Sequence, residues 1–341
     1  MKFNSIDLFS GCGGLSEGLR QAGFETKVAV EIEPKAVLAF KMNHKKTFVF
    51  QKDIRKITAE EIKEHLNGEP LHLLAGCPPC QGFSSVRRLN RPQSVEDERN
   101  NLVLEYLRLV KELKPLTIMM ENVPALENYD KFQYVIEELK RIGYNPQVKI
   151  LNVKDYEVPQ SRKRLVMVGS ILGNLEIAKP IHKKVTVRDA IEQMESEETT
   201  TDAVHKIYPK HTARIMQRIK LTPKNGGSRK DLPADYILNC HKKENVGFND
   251  IYGRLRWDDY STTITGGCLN PSKGRFLHPE KDRCITAREA ALLQSFPKDY
   301  KFPTDIPSTA IALLIGNALP PKFSYYQSLN IYNHIKEHIG R

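Results

Sequence analysis

Phe3-Asn4-Ser5-Ile6-Asp7-Leu8-Phe9-Ser10-Gly11-Cys12-Gly13-Gly14 runs an apolar strand straight into a glycine turn, and Leu15 to Ala22 then carries helical patterning. Strand, glycine turn and helix in that order open an α/β fold, with the turn at the carboxyl edge of the sheet where such folds bind ligands. The glycines permit a tight turn and let a ligand come close to the backbone. Working outward, Lys27 to Val30, Leu71 to Ala75, Leu116 to Met120 and Leu165 to Val168 read as further strands, and Thr47 to Phe50 is another apolar piece. Pro34 to Asn43, Leu102 to Leu113 and Phe132 to Ile142 read as helices between them, which predicts a doubly wound, mostly parallel sheet over residues 3–169.

From about Ser170 to Cys284 the alternation dissolves into charged loops, with an acidic stretch from Glu192 to Asp202 and a Gly/Pro-bearing piece from Thr222 to Pro233. A second, irregular domain is expected there. Helical periodicity returns in Ala287 to Ser295, Ser308 to Leu314 and Pro321 to His338, and periodicity alone leaves open which domain those helices join.

With 341 residues and 40% hydrophobic content, the chain can bury a core for one large domain and a smaller one. No apolar run reaches membrane-spanning length, and Met1 to Ser5 leads into a strand without a signal peptide, so a soluble cytoplasmic enzyme with no membrane partner is expected. The six cysteines include one close pair, Cys77 and Cys80, which argues against both a disulfide framework and a four-ligand zinc site; no metal is expected. A net charge of +11 points to a polyanionic partner. Ala203 to Lys230 holds eight Lys or Arg and no acid; on a helix starting near Thr212, Lys210, Arg214 and Arg218 would share one face suited to phosphate contact. A solvated surface helix is the plainer reading of that run.

Gly76-Cys77-Pro78-Pro79-Cys80-Gln81-Gly82-Phe83-Ser84 follows the Leu71 to Ala75 strand. Proline fixes φ and disfavours helix in the residue before it, so the Pro-Pro pair offers Cys80 in a rigid, extended approach as a nucleophile, against the commoner fate of a buried inert thiol. Met120-Glu121-Asn122-Val123 brings Glu121 to the same sheet edge, and Gln160-Ser161-Arg162-Lys163-Arg164 adds two guanidinium forks before the Leu165 strand. On the nucleotide side, Ser16 stands where a dinucleotide fingerprint wants a third glycine, which disfavours NAD. Glu31 ends the second strand, where a carboxylate can accept both ribose hydroxyls, and Asp53 could cap an adenine amino group. A glycine turn without a pyrophosphate cradle, with these two acids, suits an adenosine lacking phosphates, and S-adenosylmethionine fits that description.

Taken in order, Asp7 to Gly14, Glu31, Asp53, Pro79-Cys80-Gln81, Glu121-Asn122-Val123, Gln160 to Arg164, Arg254 to Gly267 and Gly316-Asn317-Ala318-Leu319-Pro320-Pro321 resemble the motifs of DNA (cytosine-5) methyltransferases of the bacterial restriction-modification type, over nearly the whole chain. The resemblance implies a Rossmann-like S-adenosylmethionine-dependent methyltransferase sheet in residues 1–172 plus 285–341, with a smaller irregular target-recognition domain in 173–284. Cys80, Glu121, Arg162 and Arg164 would be catalytic. Cys80 would add to C6 of a cytosine flipped out of duplex DNA, while Glu121 holds its N3 edge and Arg164 contacts the base. Phe9 would pack on the adenine, Glu31 hold the ribose, and Gly11, Gly13, Gly14, Ile32, Asp53, Ile54, Pro79, Leu102 and Asn317 complete the cofactor pocket. Ser84, Arg87 and Arg88, in a loop from Gln81 to Asn101 that would close over DNA, are expected to touch DNA, as are Arg214, Arg218, Arg229, Lys230, Arg254 and Arg256. Arg254 to Gly267 would also organise the small domain. The expected partners are double-stranded DNA and a separately acting cognate restriction endonuclease, for a monomeric enzyme at the bacterial nucleoid.

Cys77 departs from the pattern, since a small or apolar residue is expected beside the nucleophile. A Cys77–Cys80 thiol-disulfide protein is one rival, but it leaves Glu121, Arg162 and Asn317 unexplained and such motifs open a helix in much shorter chains. A tRNA cytosine-5 methyltransferase of the same fold is the nearer rival; the late Cys-Phe-Thr signature of that branch is absent here.

Overall fold

The computed structural model describes residues 2–79, 101–239 and 250–340. Contacts divide the chain into two compact units: Met1–Tyr156, Lys163–Ile181 and Leu319–Arg341 form the first, and Glu157–Arg162 with His182–Ala318 the second.

In the first unit β1 (Phe3–Leu8), α1 (Gly14–Ala22), β2 (Phe24–Val30), α2 (Pro34–Asn43), β3 (Phe48–Phe50), α3 (Ala59–Glu64), β4 (Leu73–Gly76), α4 (Leu102–Leu113), β5 (Thr117–Asn122), α5 (Asp130–Arg141), β6 (Gln147–Asn152) and β7 (Lys163–Ser170) follow one another. They build a seven-stranded sheet in the order β3-β2-β1-β4-β5-β7-β6. The first five strands run parallel, whereas β7 is antiparallel to both β5 and β6. The alternating strands and helices predict the parallel part. The antiparallel end was not predicted: β6 (Gln147–Asn152) lies on the sheet edge with Lys149 and Ile150 exposed, so it lacks the continuous apolar run that marks a doubly buried strand.

β1 is buried at every position, and its Ile6 and Leu8 join Val28, Leu74, Ile118 and Met167 in one apolar core covered by Tyr106, Leu109 and Val110 of α4. On the other flank the chain's last long helix, Pro321–Ile339, packs on α1; a Cβ at Gly18 would lie 2.4 Å from the Ser324 Cβ, so only glycine admits this approach.

The second unit holds α6 (Val187–Ile191), α7 (Ala213–Leu221), α8 (Ala287–Leu293) and α9 (Ser308–Asn317), joined mostly by turns and short 3₁₀ segments. The expected boundary gave residues 285–318 to the sheet domain, yet the contacts group them with the irregular region. Polar ties explain this: Arg283 pairs with Glu197 and Glu289, Arg288 with Asp202, and His205 Nδ1 lies 2.8 Å from the Thr286 hydroxyl. The acidic stretch that reads as low complexity thus supplies counter-charges for α8. Among the described residues no helix is long and apolar enough to cross a membrane, and no cluster of three or more His, Cys, Asp or Glu could hold a metal.

Candidate functional site

The carboxyl edge of the sheet begins at the end of β1, where Phe9 takes a left-handed φ of 61°, an uncommon and costly conformation for an aromatic residue. The chain turns there because Ser10 N–H donates to the Val30 carbonyl and Gly13 N–H to that of Ser10. Gly11, at φ 55°, has nothing within 4 Å of the position a Cβ would occupy, so the turn faces open space. Glu31 leaves β2 beside it and accepts from the N–H groups of Gly11, Ile32 and Glu33, each at 2.8 Å. Gly13 caps α1 without any side-chain bond to the first-turn N–H groups.

Among the described residues, two buried polar atoms at this edge find no partner: Asp7 Oδ1 and the Ser10 hydroxyl. The other Asp7 oxygen accepts from the Ser16 hydroxyl at 2.6 Å, which explains a serine at a position where a dinucleotide turn wants glycine. Burial, with the charge of Glu31 adding to it, pushes the Asp7 carboxyl up to about 7. An open glycine turn, unfilled polar atoms and a fixed carboxylate fit an adenosine-bearing ligand with a positive centre. Of the other expected cofactor residues, Gly14 is buried as the first residue of α1, Ile32 is 61% exposed, Ile54 is buried in the core, and Leu102 packs against that core from the start of α4. Asp53 caps the turn Ile54–Lys56, and its carboxylate is gripped by Arg55 at 2.5 Å, which holds it below the usual carboxylate range. Any adenine amino group must therefore share Asp53 with that guanidinium.

The chemical end lies two strands across. Glu121 is the penultimate residue of β5 and Arg164 sits on the facing stretch of β7, with Nε 2.7 Å from Oε1 and both side chains mostly enclosed. Burial draws the Arg164 pKa down, while the Glu121 carboxylate works against that. Asn122 donates through Nδ2 to the Pro78 carbonyl at 2.9 Å, tying β5 to the Pro78-Pro79 segment. Gly76 pairs with Met120 across β4 and β5, which places the next residue, Cys77, beside Glu121, a proximity absent from the sequence reading. Cys80, Ser84, Arg87 and Arg88, and the closing loop expected from Gln81, lie outside the described residues.

Arg162 was expected beside Glu121. It is buried in the second unit, where one terminal nitrogen donates to the carbonyls of Ile264 and Gly316, both at 2.9 Å. Gln160 completes that scaffold, accepting from Ile264 N–H and donating to Gln294 Oε1. The threonine-rich turn therefore lies against the end of α9 so closely that a Cβ on Gly316 would overlap Thr265. Asn317 ends that helix.

Among the expected DNA contacts, Arg214, Lys230 and Arg256 are exposed, and Arg218, Arg229 and Arg254 are buried. The three-residue basic stripe does not form, because α7 starts after Lys210 and Arg218 turns inward to donate to the Tyr236 carbonyl at 2.9 Å. Arg254 is fully enclosed: it donates to the carbonyls of Ile219, Thr222, His278 and Lys281 and pairs with Asp282 at 2.6 Å. Its expected contact with DNA gives way to this structural role, and the expectation that it organises the small domain is the one its geometry suits.

The model of the C-5 cytosine-specific DNA methylase family matches residues 3–332. The chain is 33% identical over 331 residues to the Type II methylase M.HgiDII of Herpetosiphon aurantiacus, covering 92% of this chain and 91% of that protein. To the Type II methyltransferase M1.HphI of Haemophilus parahaemolyticus it is 33% identical over 330 residues, covering 94% and 84%. Among solved structures, a prophage-encoded DNA modification methyltransferase of Escherichia coli superposes with a TM-score of 0.74 at 25% identity, covering 98% of this chain and 99% of that one. The Schizosaccharomyces pombe Dnmt2 methyltransferase shares the fold, with a TM-score of 0.68 at 18% identity over 99% and 100% of the two chains. The chain belongs to the C-5 cytosine-specific DNA methylase family.

Proposed function

We propose that this DNA (cytosine-5) methyltransferase works through Cys80, Glu121 and Arg164, and that it is the modification half of a restriction-modification system. The Glu121–Arg164 pair, held 2.7 Å apart at the strand end beside Pro78-Pro79, carries the proposal. Cytosine C5 is too electron-poor to attack an electrophilic methyl group unaided. Cys80, as its thiolate, adds to C6, and Glu121 gives a proton to N3 as that bond forms, so that charge does not accumulate on the ring. Arg164 holds the Glu121 carboxyl and reaches toward the base. S-adenosylmethionine supplies the methyl group as a sulfonium electrophile, and Phe9, Glu31, Ile32 and the glycine turn would hold it, with Leu102 at the pocket wall. After methylation the C5 proton leaves and Cys80 is expelled. The target must be flipped out of the duplex, at a cost of roughly a few kcal/mol.

The exposed Arg214, Lys230 and Arg256 of the second unit are the remaining contacts proposed for duplex DNA. Type II methylases among the relatives support the restriction-modification assignment. The proposal also takes a separately encoded endonuclease as functional partner and the enzyme as a monomer at the bacterial nucleoid. The test is mass spectrometry after incubation with S-adenosylmethionine and duplex DNA carrying 5-fluorocytosine. A covalent adduct is expected with the wild type and not with Cys80→Ala, and the trapped DNA gives the recognition site. An adduct only on 5-fluorocytosine RNA would overturn the DNA substrate; one that persists in Cys80→Ala would overturn the nucleophile.

A further inference from the structure

Cys77 occupies the first position beyond β4, and its surroundings hold it from both sides. Gly76 pairs with Leu8 of β1 and Met120 of β5, so the next residues along, Cys77 and Glu121, stand side by side at the carboxyl edge. Cys77 N–H donates to the Leu8 carbonyl at 3.2 Å, and the following residue, Pro78, accepts from Asn122. The strand end beneath has no slack. A Cβ on Gly76 would lie 3.0 Å from Leu8 and 3.4 Å from the Tyr106 ring, and the Tyr106 hydroxyl reaches the carbonyls of Leu74 on β4 and Met119 on β5 at 3.1 and 3.0 Å. With its backbone fixed in this way, Cys77 stands next to Glu121, whose carboxylate Arg164 holds from β7.

The state of that thiol follows from its neighbours. Burial, the charges of Glu121 and Asp7 and the bond to Glu121 all raise its pKa, and the nearby Arg164 opposes them only weakly. Cys77 therefore stays an S–H group, a donor and no nucleophile. The protonated thiol is thus available as a donor next to the acid proposed to serve the base.

We propose that Cys77 is a positioning residue for Glu121, its thiol and the Arg164 guanidinium together fixing how the carboxyl group meets the cytosine. The proposal rests on the assignment of Glu121 to the base.

The experiment measures single-turnover methyl transfer to duplex DNA against pH for the wild type, Cys77→Ala, Cys77→Ser and Glu121→Gln, with calorimetric S-adenosylmethionine affinity and melting temperature as controls. Cys77→Ala is expected to slow transfer by about tenfold, the scale of one hydrogen bond to a charged group, with cofactor affinity unchanged. The pH profile of this variant is expected to differ from that of the wild type. Cys77→Ser, which restores a donor of similar size, is expected to regain rate and profile. An unaltered rate and profile in Cys77→Ala overturns the proposal, and so does a Cys77→Ser variant as slow as Cys77→Ala, which would reduce the position to packing. Full activity in Glu121→Gln would overturn the role of Glu121 itself, and this proposal with it. Loss of activity in Glu121→Gln beside a silent Cys77→Ala would sink the positioning role alone.

Discussion

Glu121 and Arg164 reach each other across two antiparallel strands, Glu121 opposite Val166 in the ladder and Arg164 two residues earlier on β7. The pair depends on the one part of the sheet that runs against the rest. Replacing Arg164 with Ala leaves an enclosed carboxylate without its cation, and transfer is expected to fall on the order of 10²-fold. Arg164→Lys keeps the charge but loses the planar fork, so it should recover only part of the rate. Rapid-quench transfer with labelled cofactor, beside cofactor affinity, checks this: the loss should appear in the chemical step with affinity unchanged.

Arg254 makes a different prediction. Its guanidinium satisfies four backbone carbonyls and Asp282, so Arg254→Ala strands all of them in the interior and is expected to destabilise the second unit by about 3–5 kcal/mol. Thermal melting and limited proteolysis should show early loss of residues 182–318. A variant that melts like the wild type but binds DNA with a shallower salt dependence would return Arg254 to the phosphate backbone.

Glu121 and Arg164 were legible because each closes or opens an apolar strand, and strand ends in an open sheet share one edge. The turn from Phe9 to Gly14 was legible for the same reason. Inward-turned arginines were not: a basic residue in a loop looks identical in sequence whether it meets a phosphate or a carbonyl. Arg218 and Arg254 find their acceptors on segments remote in sequence, Tyr236 and His278 to Asp282. β6 escaped notice because half its surface is wet. The grouping of residues 285–318 with the second unit was not legible, because Arg288 finds its partner in Asp202, at the end of an acidic stretch remote in sequence.

The exposed cations should behave unlike the buried ones. Removing a side chain that neutralises one phosphate flattens the slope of log affinity against log salt by about 0.9. Arg214→Ala, Lys230→Ala and Arg256→Ala are expected to do this at unchanged melting temperature, whereas Arg218→Ala should lower the melting temperature first, since its nitrogen holds the Tyr236 carbonyl. Fluorescence anisotropy of a labelled duplex over a salt series separates the two classes. A slope unmoved by all three exposed substitutions would turn that face away from DNA.

Asp7 gives the cofactor-free enzyme a pH dependence of unusual sign. Its carboxyl is pushed up to about 7 by burial, against an ordinary value of 3.8, so the folded state keeps a proton that the unfolded chain has released. A raised folded-state pKa means that the contribution to stability is complete below about pH 4 and is lost as pH rises through about 7. Within that window the loss approaches about 1.4 kcal/mol per pH unit for a single group. Three paired carboxylates work the other way: Asp202, Glu197 and Glu289 are held low by Arg288 and Arg283, and they destabilise the fold only on acidification. Subtraction isolates Asp7. Asp7→Asn keeps an acceptor for the Ser16 hydroxyl and is neutral at every pH, so urea midpoints at pH 5, 6, 7 and 8 should show the wild type losing ground to the variant across the series. Parallel curves would mean that the Asp7 carboxylate is reached by water, and that the unfilled acceptor at the end of β1 is solvated before any ligand arrives.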